Sequence, residues 1–105
     1  VQEYISYYRS FTEEHPGLRV WFMSVNPVSE AVEQRAGYSV TNKQIEDFNE
    51  ELRAAFPAQY IDTYSYLLAG GFSTGDGVHY GTDTYAAIQN YAVASIQACL
   101  ILRAN

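Results

Sequence analysis

Apolar residues recur at helical spacing at the start of the chain. Tyr4, Ile5, Tyr8 and Phe11 fall on one side of "EYISYYRSFTEEHPG", and Pro16-Gly17 supplies a stop. The pattern then changes. Residues 20–23, Val-Trp-Phe-Met, are continuously apolar between Arg19 and Ser24. A run without alternation reads as a strand buried on both faces, as in a parallel sheet. Asn26-Pro27 ends it, because proline has no N–H for a ladder and restrains the residue before it. Residues 28–40 read as a connection, with Glu30, Glu33 and Arg35 solvated. Thr41 followed three residues later by Gln44 has the spacing of a capping box. Behind it Ile45, Phe48, Leu52 and Ala55 share one helix face, and Pro57 closes the element. "YIDTYSYL", 60–67, is aromatic and β-branched and reads as a second strand, its Asp62 and three tyrosines suited to a sheet edge. A Gly-rich loop, 70–81, leads to a final helix capped by Thr82 or Asp83 and carrying Tyr85, Ile88, Ile96 and Leu100.

Helix–strand–helix–strand–helix is an α/β alternation, which implies parallel strands joined by right-handed crossovers. Two strands make a short core with a bare flank, whereas a run like 20–25 belongs in the middle of a sheet. The expectation is that residues 1–105 form the later part of one larger doubly wound domain. Composition supports a covered surface: 48% of residues are hydrophobic, only 17% are charged, and ten are tyrosines. Self-association through the exposed sheet flank is therefore expected. With a net charge of −6 and six scattered Lys and Arg, no basic stripe can track phosphates, so a nucleic-acid partner is not expected. The lone Cys99 excludes an internal disulfide and a multi-Cys zinc site, and its apolar helical setting reads as buried core. No uninterrupted apolar run approaches the roughly 20 residues that span a bilayer, so no membrane span is expected.

The chemistry concentrates in "GGFSTGDGVHY", residues 70–80. Gly71-Phe72-Ser73-Thr74-Gly75 matches the G-x-S-x-G pattern of a nucleophile elbow. Such an elbow needs a helix that departs directly after the serine, and Thr74-Gly75-Asp76-Gly77 is loop material. Ser73 is therefore read as accidental. Asp76 and His79 admit two readings: a polar turn before the last helix, or an acid–histidine pair. In the second, the carboxylate fixes the imidazole tautomer and the other ring nitrogen faces a substrate. Histidine ordinarily titrates near neutral pH, at about 6.5, which suits a base. Phe72 and Val78 flank the pair and could wall an acyl group or anchor the loop.

"DGVHY", after a strand and before the final helix, resembles the last block of the GDSL/SGNH hydrolase family, an Asp-x-x-His motif. "VWFMSVNPV" resembles the strand ending in Ser-x-Asn-Pro in bacterial members. "VTNKQIEDFNEEL" resembles the following helix and "YIDTYSYL" the strand before the catalytic loop. The similarity runs in order over most of residues 15–95. It implies a partial flavodoxin-like, SGNH-type three-layer fold, here with about two parallel strands and their helices. It also implies hydrolysis of carboxylic esters, acyl or acetyl, without cofactor or metal. By motif, Asp76 would orient the histidine and His79 would act as base and then acid. The family's nucleophile sits in a Gly-Asp-Ser motif, and an oxyanion donor in a Gly-x-Asn-Asp block; neither occurs in these 105 residues. The resemblance therefore implies the catalytic-histidine part of a serine ester hydrolase, inactive alone. A bacterial origin goes with it, with a secreted or a cytoplasmic setting both open.

Other residues carry less. His15 reads as a cap on the first helix's last carbonyls. Asp62, Asp76, Asp83 and His79 lack metal-ligand spacing, so no metal site is expected. Asn26 and Pro27 lie at the carboxyl end of the apolar strand, where ligands bind in open α/β sheets, and Asn26 is a candidate pocket residue. Tyr60, Tyr64 and Tyr66 read as edge-strand surface. The competing function class is a non-catalytic α/β protein-interaction module that keeps the Asp-x-x-His turn.

Overall fold

A computed structural model describes residues 1–35, 37 and 39–104, the side chains of 103 and 104 excepted. The elements run α1 (Gln2–Glu14), β1 (Phe22–Met23), α2 (Glu30–Glu33), α3 (Asn42–Ala55), β2 (Tyr60–Ile61), α4 (Thr63–Gly70) and α5 (Thr82–Ala104). β1 and β2 pair in parallel, Phe22 opposite Tyr60 and Met23 opposite Ile61. The chain is thus α/β, two parallel strands flanked by helices.

α3 is the spine. Thr41 and Gln44 form the expected capping box, the Thr41 hydroxyl accepting from Gln44 N–H and the Gln44 side chain from Thr41 N–H. Ile45 and Leu52, seven residues apart, face the same way and enter two separate cores. Leu52 joins Ile5, Phe22 and Phe56, with Phe22 and Phe56 stacked at 4.1 Å between centroids. Ile45 joins Val28, Val32 and Tyr64. Between them on the same face lies Asn49, a buried polar residue that the apolar pattern gives no reason to expect. Its Oδ1 accepts from Val25 N–H at 2.8 Å and its Nδ2 donates to Val25 O at 2.9 Å. Asn42 does the same to Val28, with both bonds at 2.9 Å. Two asparagines on one helix thereby satisfy the backbone of the chain leaving β1, which has no strand partner there.

Several expectations need correcting. "YIDTYSYL" is a strand for only two residues, because Asp62 Oδ1 accepts from Ser65 N–H at 3.0 Å and starts α4. A capping carboxylate beats β propensity here. Tyr64 is consequently core rather than edge, and Tyr66 stacks on Tyr91 of α5 at 4.3 Å. Residues 28–40, of which 36 and 38 lie outside the described residues, contain α2, capped by Ser29. The 20–23 run is not buried on both faces: Phe22 and Ser24 are buried, while Met23 and Val25 are exposed. Cys99 is half-buried rather than core. α5 begins at Thr82 itself, so neither Thr82 nor Asp83 precedes it as a cap.

α5 also changes the membrane expectation. Thr82–Leu102, 21 residues with mean hydropathy 1.3 and only 6% buried, is long and apolar enough to cross a bilayer by length and composition. Its polar residues are uncharged apart from Asp83, which is why counting uninterrupted apolar residues overlooks it. One such helix is weak evidence, since packing helices of α/β domains meet the same criterion.

Candidate functional site

The loop between α4 and α5 is a narrow, closed structure. Ser73 O accepts from Gly81 N–H at 3.0 Å, Thr74 and Tyr80 form an antiparallel bridge, and His79 O accepts from Gly75 N–H at 3.3 Å. Its base is tied to the start of α5. Ser73 N–H donates to Thr84 Oγ1 at 3.1 Å, and Ser73 Oγ to Asp83 Oδ1 at 3.1 Å. Ser73 is followed by bends and the Tyr80 bridge, and no helix starts before Thr82. The G-x-S-x-G match is therefore a clamp at a loop base. The elbow geometry is absent.

At the tip, Asp76 folds back on its own backbone. Oδ1 accepts from Val78 N–H at 2.9 Å and from His79 N–H at 2.7 Å, an Asx turn that Gly77 completes at φ 90°. Oδ2 lies 2.6 Å from His79 Nδ1. The His79 backbone amide, then its side chain, then the Val78 amide hold the Asp76 carboxyl well below the usual carboxylate range. Asp76 is thus ionised at neutral pH and can only accept, so the Nδ1 proton belongs to His79. In the neutral imidazole that fixes the tautomer and leaves Nε2 with its lone pair. The His79 side chain is 79% exposed and the Asp76 side chain 52%, and Nε2 has no partner among the described residues. At such exposure the pair adds little stability; its consequence is orientation.

The other candidate residues are placed differently. Val78 packs on the Val28–Val32–Ile45–Tyr64 core and so anchors the loop. Phe72 is half-buried, edge-on to Tyr80 at 5.6 Å. Asn26 turns to α4, its Oδ1 accepting from Thr63 Oγ1 at 2.5 Å. His15 caps α1 as expected, Nδ1 to Phe11 O at 2.9 Å. A groove of about 340 Å³ between α3 and α4, with Glu46, Arg53 and Tyr60 in its lining, shares no residue with the loop. Among the described residues no group of three or more His, Cys, Asp and Glu is placed to hold a metal ion.

Sequence reasoning misses the supports of the site. Tyr80 donates its hydroxyl to Pro27 O, Ser29 N–H donates to Gly77 O at 3.0 Å, and Asn42 holds Val28. Asparagine at positions 42 and 49, one heptad apart on a helix, is the only sequence signal among them.

Comparison with solved structures adds one finding. A Streptococcus pneumonia protein, provisionally named a platelet activating factor, superimposes with a TM-score of 0.73 over 90% of this chain at 22% identity. The fold is shared. The match takes in 49% of the other chain, so this chain spans about half the length of that structure. No protein-family model and no curated protein matches the chain.

Proposed function

We propose that these residues are the catalytic-histidine portion of an SGNH-type serine ester hydrolase. Asp76 orients His79, and His79 Nε2 takes the proton of a serine hydroxyl and returns it to the leaving alcohol. The observation that carries the reading is the 2.6 Å Asp76–His79 contact with Nδ1 as donor, at the tip of a loop ahead of the last helix. The likeness to half of a larger α/β structure supports it, as does the order of the quoted sequence blocks. The serine attacks the acyl carbon, the alcohol leaves with the proton His79 took, and water activated by the same nitrogen releases the acid. The nucleophile, on a Gly-Asp-Ser motif, and the further oxyanion donors come from outside these 105 residues.

The test joins the chain to the coding sequence upstream of Val1 and follows p-nitrophenyl acetate hydrolysis. His79→Ala should lower kcat by about 10⁴-fold, while Ser73→Ala stays within about twofold. The 105 residues alone should give no turnover above background. Turnover by the isolated chain that Ser73→Ala removes would overturn the assignment.

A further inference from the structure

The Asp76–His79 pair sits on an exposed loop, yet the residue between them is buried. Gly77 is the most enclosed point of the 71–81 segment, with φ 90°. A Cβ there would fall inside Val32 Cγ2 and within 2.6 Å of Ser29 Oγ. Its carbonyl accepts from Ser29 N–H at 3.0 Å. Ser29 and Val32 belong to the cap and the buried face of α2, a helix of four residues. Arg35, just beyond α2, reaches the Asp76 carbonyl with Nη2 at 3.5 Å.

We propose that α2 exists to seat Gly77, and that Gly77, the Ser29 N–H and Val32 are positioning residues for His79. The Asx turn alone cannot do this. It fixes His79 relative to Asp76, but both could move together, since neither side chain is buried. The seat at Gly77 ties that local unit to the core, because Val32 packs with Ile45 and Tyr64. Only glycine allows the contact, for two independent reasons: the left-handed φ and the missing Cβ. The assignment of His79 as a base rests on the proposed function; the seating itself does not.

The test uses the full gene product with ¹⁵N-labelled histidine and reads the His79 Nδ1–H resonance, with His15 as the internal reference for folding. In wild type the Nδ1–H should be shifted downfield and protected from exchange by Asp76. Gly77→Ala should abolish that resonance and leave His15 unchanged. A second pair of variants isolates the hydrogen bond. Ser29→Ala keeps the N–H, whereas Ser29→Pro removes it at a φ of −70° that proline accepts. Ser29→Ala should retain the His79 signal and Ser29→Pro should lose it. In the active protein the two disruptive variants should lower kcat by about 100-fold with KM little changed. A wild-type Nδ1–H in folded Gly77→Ala or Ser29→Pro overturns the proposal. So does collapse of the His15 reference in both, which would make Gly77 a residue of the whole core. Loss of the signal in a protein whose ester hydrolysis ignores His79→Ala would leave the seating intact and remove the hydrolase reading instead.

Discussion

Two regions of this chain treat their polar and apolar groups in opposite ways. Around the 71–81 loop nearly every strained or buried group is answered. Gly77 O meets Ser29 N–H, Pro27 O meets the Tyr80 hydroxyl, and Val25 and Val28 are each held by an asparagine. On β1 and the residues around it, and separately on α5, apolar groups are left open. Met23, Val25, Val93, Ile101 and Leu102 are exposed, and the indole N–H of Trp21 is buried without a partner among the described residues. The shape agrees. The accessible surface is 7020 Å², against roughly 5,900 Å² for a closed domain of 11.8 kDa. The Cα radius of gyration is 15.4 Å, against about 13 Å. The excess, about 1,100 Å², is larger than the roughly 800 Å² on one side of a standard protein interface. The loop's local geometry is thus supported from within, while the apolar side chains on β1 and α5 stay exposed.

The largest effect should come from the side that is already closed. Leu52 is 1% exposed at the meeting of α1, β1 and α3, whereas Leu102 is 76% exposed at the end of α5. Leu52→Ala should cost about 3 kcal/mol in urea unfolding, and Leu102→Ala less than about 0.5 kcal/mol. Equal losses would mean that α5 is packed in solution and the contrast is false.

A second test acts on the open flank. The bare apolar surface should drive self-association of the 105 residues, seen as a sedimentation coefficient that rises across the micromolar range. Lysines placed together at Val93 and Ile101, both exposed on α5, should hold it at the monomer value without changing stability. A concentration-independent monomer in the unsubstituted chain would show that the apolar surface is not sticky, and would favour an interaction module whose apolar surface is closed by other means.

How far the sequence reveals this molecule follows the same division. α1, the capping box of α3 and the parallel α/β order are legible because periodicity and caps are local signals. The contact between Asp76 and His79 is legible for the same reason, the two standing three residues apart on either side of a glycine. Asp62 misleads because a β-rich composition hides a one-residue cap, and the difference between strand and helix at 63–67 rests on a single hydrogen bond pattern. The roles of Asn42, Asn49 and Gly77 are not legible. Each depends on a contact across at least 14 residues of chain, as in Val28 with Asn42, and the heptad spacing of the two asparagines names no partner for either. Even the run 20–25 misleads: its composition does not distinguish the buried Phe22 and Ser24 from the exposed Met23 and Val25.

The smallest expected effect is confined to the loop tip and separates orientation from stability. Asp76 titrates below its ordinary value of about 3.9 because its ionised form accepts from the His79 amide, the His79 ring and the Val78 amide. A lowered folded-state value means that the stabilising contribution is fully present above the ordinary pKa. It is lost as pH falls through the depressed one. The Val78 and His79 amides should therefore stay protected from exchange down to about pH 4, where a free aspartate would already be taking up its proton. Their protection should fade only under stronger acid. In Asp76→Asn, whose side-chain oxygen is a weaker, uncharged acceptor, the same two amides should exchange faster even at neutral pH. Global unfolding should scarcely move, because both side chains are largely solvated. Unchanged exchange at Val78 and His79 in that variant would show that the Gly77 seat holds the tip without the carboxylate. Asp76 would then serve the imidazole alone.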